Sequence, residues 1–291
     1  MCAPRPRSTQ TWKPAALLIL TTILLAGPTF AGTLDRIRQD RIVRIAYRQD
    51  APPFSYVNTT GGVTGFMVDL CRAVVSKLSQ QLNLPSLGVN YVAVTAANRF
   101  ETIQQGNADL LCEPTSATLS RRKLVDFSIA TFVDGASLMI TPDGPKALPE
   151  LAGRSIGVLA GTTTEQELHK TLSSAGITAT VLPAQTHADG LAMLDDGKIS
   201  AYFADRSILL GLIANSKAPE RLRVADVYLT IESYALALPR GDDDFRLEVD
   251  RALSHIYGSG EITSILDSTF GNNPPIGSML QTVYLISGLP D

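Results

Sequence analysis

Between Ala108 and Arg122 the chain reads ADLLCEPTSATLSRR, and two of these residues are of a kind that holds a carboxylate. Ser116 offers a hydroxyl and a backbone N–H. Arg121 offers a planar guanidinium fork that matches a carboxylate in bidentate fashion. Ala108 to Cys112 is an apolar run of strand length, Glu113-Pro114 breaks it, and the spacing predicts a short helix from Thr118 to Val125. The oriented N–H groups and partial positive charge at a helix start would add to an anion site. Taken alone, the segment fits equally well an N-cap followed by a solvated basic patch, Arg121-Arg122-Lys123.

The elements that would position these groups alternate in type. Ile42 to Tyr47 reads as a strand, followed by a loop punctuated by Pro52-Pro53 and Gly61-Gly62. The stretch Gly65 to Leu70 opens a helix that runs to about Asn83, with Phe66, Leu70, Val74 and Leu78 on one buried face. Val89 to Val94 is a strand, Asn98 to Gln105 a helix, and Asp126 to Ile140 mostly extended. The sequence Thr141-Pro142-Asp143-Gly144-Pro145 marks a boundary, after which the alternation restarts. Strands are expected at Ser155 to Ala160, Ile177 to Leu182, Ser200 to Ala204 and Val224 to Leu229. Helices are expected at Thr163 to Gly176, opened by a capping box of Thr162 with Glu165, at Thr186 to Gly197 and at Ile208 to Ala214. Tyr234 to Leu238 leads to a second boundary at Pro239-Arg240-Gly241. Two helices follow, Asp243 to Tyr257 and Glu261 to Phe270. A Pro/Gly-rich tail ends in the apolar run Val283 to Ile286, expected to lie against a lobe.

Strand–helix alternation is the signature of an α/β layer structure with a largely parallel sheet. Here it predicts two α/β lobes joined by two extended crossings, residues 32–139 with 235–291 as the first lobe and 140–234 as the second. That topology leaves a cleft between lobes, where small ligands bind, and two crossings permit closure by rotation.

Composition sets the compartment. The chain has 291 residues, 45% hydrophobic and 18% charged, ordinary for a globular protein. Its beginning is not ordinary. Arg5, Arg7 and Lys13 precede an apolar run from Ala15 to Ala26, and Thr29-Phe30-Ala31 has the small-x-small form of a cleavage site. Such a run is too short to span a bilayer, so residues 1–31 read as a signal peptide and the mature chain as exported. Losing those three cations leaves 22 of the 25 basic residues against 28 acidic ones, a formal charge of about −6. That balance argues against nucleic acid and against a polybasic membrane surface. Cys71 and Cys112 are left in a compartment that permits disulfides, and the sequence leaves open whether they are bridged or are two buried thiols. His169, His187 and His255 are scattered, so no metal site is expected, and no motif implies a cofactor.

With these segments in view, the chain resembles the periplasmic amino-acid-binding proteins of ABC importers, solute-binding proteins of the type II two-lobe fold. It is most similar to their glutamate/aspartate-binding group. The likeness rests on Arg48-Gln49-Asp50-Ala51-Pro52-Pro53-Phe54-Ser55-Tyr56, Gly65-Phe66-Met67-Val68-Asp69-Leu70, Thr95-Ala96-Ala97-Asn98-Arg99, the Ala108–Arg122 stretch, Gly161-Thr162-Thr163-Thr164-Glu165, and the spaced pair His187 and Asp205. The resemblance implies an α-amino-acid clamp, with Arg121, Ser116 and Thr163 on the α-carboxylate and Asp205 on the ammonium. It places Arg48, Arg99 and His187 around the distal carboxylate of an acidic ligand. Three arginines against Asp205 leave a surplus of two positive charges, which a dicarboxylic amino acid would answer. It further implies a monomer that delivers its ligand to a membrane permease and performs no chemistry. A dehydratase-like enzyme of the same fold and a ligand-sensing subunit are the alternatives. This chain departs from the family at Pro114 and Ala96, where hydroxyls are usual. Pro114 can still offer its carbonyl to the ammonium. Met67 stands where an acid is frequent and is read as packing. Glu113 is expected to point outward.

Overall fold

The computed structural model describes residues 1–4, 32–271 and 277–290. The chain divides into Met1–Phe30 and Ala31–Asp291, and the second unit holds both lobes. The expected signal peptide, past its first four residues, lies outside the described residues.

The chain first runs through α1 (Thr33–Asp40), β1 (Ile42–Arg48), a small flap of β2 (Asp50–Ala51), β3 (Ser55–Val57) and β4 (Val63–Thr64), then α2 (Phe66–Gln81), β5 (Gly88–Val94), α3 (Arg99–Gln104), β6 (Leu110–Leu111) and β7 (Asp126–Asp134). It continues through β8 (Ala136–Ile140), β9 (Ser155–Leu159), α4 (Thr163–Ser174), β10 (Thr180–Ala184), α5 (His187–Asp195), β11 (Ala201–Asp205), α6 (Arg206–Ala214) and β12 (Arg223–Val224). It returns by β13 (Glu232–Leu238) and closes with α7 (Asp243–Gly258), α8 (Glu261–Phe270) and α9 (Gly277–Ser287). Two five-stranded sheets result, ordered β5-β1-β6-β13-β7 and β10-β9-β11-β8-β12. β5, β1 and β6 are mutually parallel, as are β10, β9 and β11, and the strands that cross between lobes are antiparallel to their neighbours. This is a two-lobe α/β fold.

The family-like motifs near the start are chiefly architecture. Phe54 is fully buried among Phe66, Phe132, Tyr234 and Phe270, with ring centroids 4.9 Å from Phe132 and 5.6 Å from Tyr234. Gly65 has φ +118° and a Cβ there would meet the Phe54 carbonyl at 2.5 Å, so the turn into α2 accepts only glycine. Met67 is buried in the same core, as its packing assignment anticipates. The disulfide left open by the sequence is formed between Cys71 of α2 and Cys112 at the end of β6. It ties the strand that carries Glu113 to the helix beneath it. Loop closure over 41 residues is worth about 4 kcal/mol in the chain-entropy account.

Two local expectations shift, and a third is met. The helix predicted from Thr118 is a single 3-10 turn, Arg121–Lys123. Ser116 bridges to Tyr234 and the Ala117 N–H bonds to Ser233, and β7 begins at Asp126, so the backbone is committed on both sides. The strand predicted at Ile177 starts at Thr180, where parallel register with Ser155 places it. The apolar C-terminal run becomes α9, docked on the first lobe: the Tyr284 hydroxyl donates to the Thr131 carbonyl at 3.2 Å, and its ring lies 4.8 Å from that of Tyr257.

The crossings between lobes meet at Gly135. The chain leaves the first sheet at Asp134 and enters the second at Ala136, while Glu232 pairs with Asp134 on the way back. A Cβ on Gly135 would stand 2.1 Å from the Thr230 carbonyl oxygen, closer than any side chain can approach backbone. The two crossings therefore abut at a residue with no side chain.

Candidate functional site

The residues singled out in the sequence converge because all but Arg121, which lies in the 3-10 turn before β7, sit where a strand ends. Arg48 ends β1, Arg99 opens α3 after β5, and Pro114 and Ser116 follow β6. From the other lobe, Thr163 opens α4 after β9, His187 opens α5 after β10, and Asp205 ends β11. Carboxyl ends of parallel strands are where α/β folds place ligands. All eight expected residues, Arg48, Arg99, Pro114, Ser116, Arg121, Thr163, His187 and Asp205, line one inter-lobe cavity, together with Glu113, Thr162, Thr164 and the apolar Leu159, Phe203 and Ile208. Its volume is about 30 Å³, room for a water and far less than an amino acid. A ligand enters only if the lobes part.

Several bonds cross the cleft. The backbone N–H of His187 donates to Asp50 Oδ2 at 3.0 Å, and Arg99 Nη2 donates to the Gly161 carbonyl at 3.4 Å. The hydroxyls of Ser116 and Thr163 are 3.2 Å apart. Both donate to Glu232 Oε2, Thr163 at 2.7 Å and Ser116 in a still shorter bond.

At the Arg121 side, Nη1 donates to the Ser116 carbonyl at 2.9 Å, and the guanidinium carbon lies 5.3 Å from the Phe100 ring centroid. Burial pulls the Arg121 pKa down, while Glu113, Glu232 and Asp205 pull it up. Thr162 caps α4 by accepting the Glu165 N–H at 3.1 Å. The expected capping box does not close, because Glu165 reaches the Gly161 N–H instead. A full box forms one helix later, between Thr186 and Asp189, directly before His187.

Asp205 is buried and receives the Thr164 hydroxyl only at 3.5 Å. Burial, then Glu232 and Asp134, push its pKa well above the usual carboxylate range. Asp134 is pushed up to about 6 by burial, although it accepts the N–H groups of Gly135 and Ser207 at 2.8 and 3.1 Å. A buried carboxyl beside two others is an acceptor for which a cation would be strongly stabilising.

At the other side Glu113 turns inward, contrary to expectation. It is 1% exposed, with Oε1 3.3 Å from Arg99 Nε and Oε2 3.7 Å from Arg48 Nη1, and it accepts the Thr115 hydroxyl in a short bond. Glu113 lines the cleft on a strand end held by the disulfide, and burial there is offset by two guanidiniums. Arg48 is in turn bound by Asp50, with Nε and Nη2 at 2.8 and 2.6 Å from Oδ1. The surplus of two positive charges inferred from sequence is therefore absent: Arg48 is matched by Asp50 and Arg99 by Glu113. Burial pushes the Glu113 carboxyl up against the pull of Arg99, Arg48 and Arg121. Burial, with Arg121 and Arg48 nearby, lowers Arg99 to about 10 despite Glu113.

His187 is wholly buried, and its Nδ1 lies 3.0 Å from the Tyr202 hydroxyl. Burial and Arg48 hold its pKa down to about 3, so the ring is neutral. Gly190 makes this fit, since a Cβ there would meet the Tyr202 ring at 2.1 Å. Asp50, Glu232 and Tyr202 are site residues that sequence reasoning misses. Asp50 has a local signal, lying two residues after Arg48, but Glu232 reaches the site only through the return crossing.

An inter-lobe cavity at the strand ends of two α/β lobes, spanned by hydroxyl, carboxylate and guanidinium contacts, defines a type II periplasmic binding protein. The chain belongs to the bacterial extracellular solute-binding proteins, family 3, which it matches over residues 43–272. It is 32% identical over 265 residues to the L-glutamate/L-aspartate-binding protein of Pseudomonas aeruginosa, covering 89% of this chain and 88% of that one. It is 30% identical to the glutamate/aspartate import solute-binding protein of Salmonella typhimurium, covering 86% and 83%. A mutant of ArgBP from T. maritima superposes with a TM-score of 0.72 at 23% identity, covering 82% of this chain and 99% of the other. That last likeness concerns the fold alone.

Proposed function

We propose that this protein is the ligand-capturing receptor of an ABC-type importer. In this reading it is exported by cleavage of residues 1–31, works in the periplasm as a monomer, takes up an acidic amino acid and passes it to a membrane permease. The lobes are taken as residues 32–134 with 232–291, and 136–231. These lie a few residues from the boundaries expected at 139/140 and 234/235, because Ala136–Met139 pair with β11 and Glu232–Tyr234 pair with β7. The observation that carries the reading is the opposition of Arg121 and Ser116 in one lobe to Asp205 in the other, all on one cavity wall. Arg121, Ser116 and Thr163 hold the α-carboxylate. Asp205, whose charge is disfavoured by burial and by Glu232, gains a partner in the ammonium, which the Pro114 carbonyl also accepts. Arg48, Arg99 and His187 face the ligand's side chain. The names of the Pseudomonas and Salmonella relatives support glutamate or aspartate as the ligand and import as the task. Closure then follows from a population shift, because only the closed form lets both lobes touch the ligand.

One observation favours a second reading, an enzyme of dehydratase type: Glu113 is a buried carboxyl in the cavity wall, as a general acid must be. The opposition of Arg121 to Asp205 across the cavity, which fits the two charged groups of an amino acid, favours binding over catalysis. A calorimetric screen of the twenty amino acids at pH 6 tests the receptor. Glutamate or aspartate is expected to bind most tightly and to be recovered unchanged. Binding confined to neutral or basic amino acids would defeat the acidic assignment, and chemical conversion of the ligand would favour the enzyme.

A further inference from the structure

Glu113 is the feature of the cavity that an acidic-ligand receptor does not need. A receptor for a side-chain carboxylate requires positive charge free to meet it. Here Asp50 binds Arg48 through two donors, and Glu113 lies against Arg99 and within 3.7 Å of Arg48. From the flap comes Asp50, from β1 Arg48, from α3 Arg99, from the 3-10 turn Arg121, and from α5 the neutral ring of His187. Asp50 answers Arg48 and Glu113 answers Arg99. Arg121, bound to the Ser116 carbonyl, is reserved for the α-carboxylate, so among the described residues no cation at this wall is left for a side-chain carboxylate. A second carboxylate brought beside Glu113 would share guanidiniums with an anion already there, in a site closed to water, where like charges repel most.

Resting on the receptor reading above, we propose that Glu113 is a specificity-determining residue: it stands where a ligand's side-chain carboxylate would pair with Arg99 and Arg48, so that an acidic amino acid binds only together with one proton shared between Glu113 and the ligand. The proton comes from solvent. It turns two repelling carboxylates into a hydrogen-bonded acid–carboxylate pair, with the remaining negative charge against the guanidiniums. An uncharged side-chain amide needs no such proton, because its NH₂ donates to Glu113 and its carbonyl accepts from an arginine. Burial already moves the Glu113 carboxyl toward the protonated form, and the ligand's charge moves it further in the same direction. Affinity for glutamate thus falls as pH rises through the interval between the Glu113 values in free and bound protein.

Calorimetry of the purified protein with L-glutamate and L-aspartate from pH 5 to 9, in buffers of unequal ionisation enthalpy, counts the protons taken up. Asp205 releases its proton to solvent on pairing with the ammonium in every variant, so the quantity read is wild type minus Glu113→Gln. That difference is expected to approach one proton, with the wild-type Kd rising up to roughly tenfold per pH unit over part of the range. At pH 8 Glu113→Gln is expected to bind glutamate at least about tenfold more tightly than wild type, which corresponds to one such proton step. Glu113→Asp retains the uptake. Acidic ligands bound with equal proton counts in wild type and Glu113→Gln would overturn the proposal and leave the receptor reading standing. Failure of wild type and Glu113→Gln to bind any acidic amino acid would overturn both. Should Glu113→Gln not fold, wild type alone decides: uptake no greater for glutamate than for glutamine at every pH overturns the proposal.

Discussion

The Thr163 hydroxyl donates to Glu232 Oε2 at 2.7 Å, joining the start of α4 in one lobe to the strand that returns to the other. Ser116 donates to the same oxygen. Glu232 thus occupies with a carboxylate of the chain's own the two hydroxyls assigned to a ligand's α-carboxylate. The ligand must displace it. Glu232→Gln keeps the shape and weakens the competitor, so amino-acid binding is expected to tighten by about 1 kcal/mol, roughly fivefold. The ligand-free protein is expected to melt at lower temperature. Titration calorimetry and thermal unfolding check the two halves, and unchanged affinity would remove Glu232 from the ligand's path.

Arg121 reaches the Ser116 carbonyl at 2.9 Å and spends one nitrogen on it, leaving the rest of its fork for a ligand. Arg121→Ala is expected to abolish the ligand-induced thermal shift. Arg121→Lys keeps the charge but loses the planar pair of donors, and affinity should fall roughly 10- to 100-fold. A lysine variant binding as well as wild type would show that charge alone suffices.

His187 and Asp134 give the ligand-free protein opposed responses to acid. His187 is held by burial at about 3, below its ordinary 6.5. Its stabilising contribution is complete above pH 6.5 and is lost as pH falls toward 3, because the unfolded chain takes the proton first. Asp134 is raised by burial to about 6 from 3.8, so its cost is full above pH 6 and is relieved as pH falls to 3.8. Between those values the two slopes offset. His187→Gln removes one of them, and acidification from pH 6 to 4 should then stabilise the variant relative to wild type by roughly 2 to 3 kcal/mol. Urea unfolding at both pH values measures this, and parallel pH profiles would refute it.

What is legible in the sequence divides along physical lines. The alternation of strands and helices and the two crossings follow from periodicity and punctuation, whereas the eight cavity residues are reached, as a set, only through the resemblance to a family. Phe54 and Gly65 carry the motif for reasons of packing, which is why it marks the fold better than the ligand. The inward turn of Glu113 is not legible, because the cost of burying it is offset by Arg99 and Arg48, 14 and 65 positions away in sequence. Glu232 is invisible for the same reason: its partners, Ser116 and Thr163, are 116 and 69 residues distant. The helix expected at Thr118 fails because pairing of Ser116 and Ala117 with β13 outweighs local propensity.

Gly211 of α6 meets the first lobe at backbone distance. A Cβ there would lie 2.6 Å from the Pro52 carbonyl oxygen and 2.9 Å from the Pro53 nitrogen. Neither neighbour is a flexible side chain that could give way. Gly211→Ala is expected to resist closure, lowering ligand affinity by about 1 to 3 kcal/mol while leaving the packing inside each lobe intact. Small-angle scattering should show a larger radius of gyration for the liganded variant than for liganded wild type. Equal radii and equal affinity would mean the lobes accommodate the methyl group.

The meeting of the crossings at Gly135 has a geometric corollary. Asp205 pairs directly with Ala136, next to that point, whereas β10, which leads into His187, is three strands away in the order β8-β11-β9-β10. Rotation about a pivot displaces groups in proportion to their lever arm. Asp205 and Glu232 therefore stay nearly in register as the jaws part, and the His187–Asp50 bond travels farthest. Under the proposed assignment, a ligand is first gripped at the pivot by its ammonium and α-carboxylate, groups common to all amino acids. Its side chain is inspected only in the last degrees of swing, when His187 returns to Asp50.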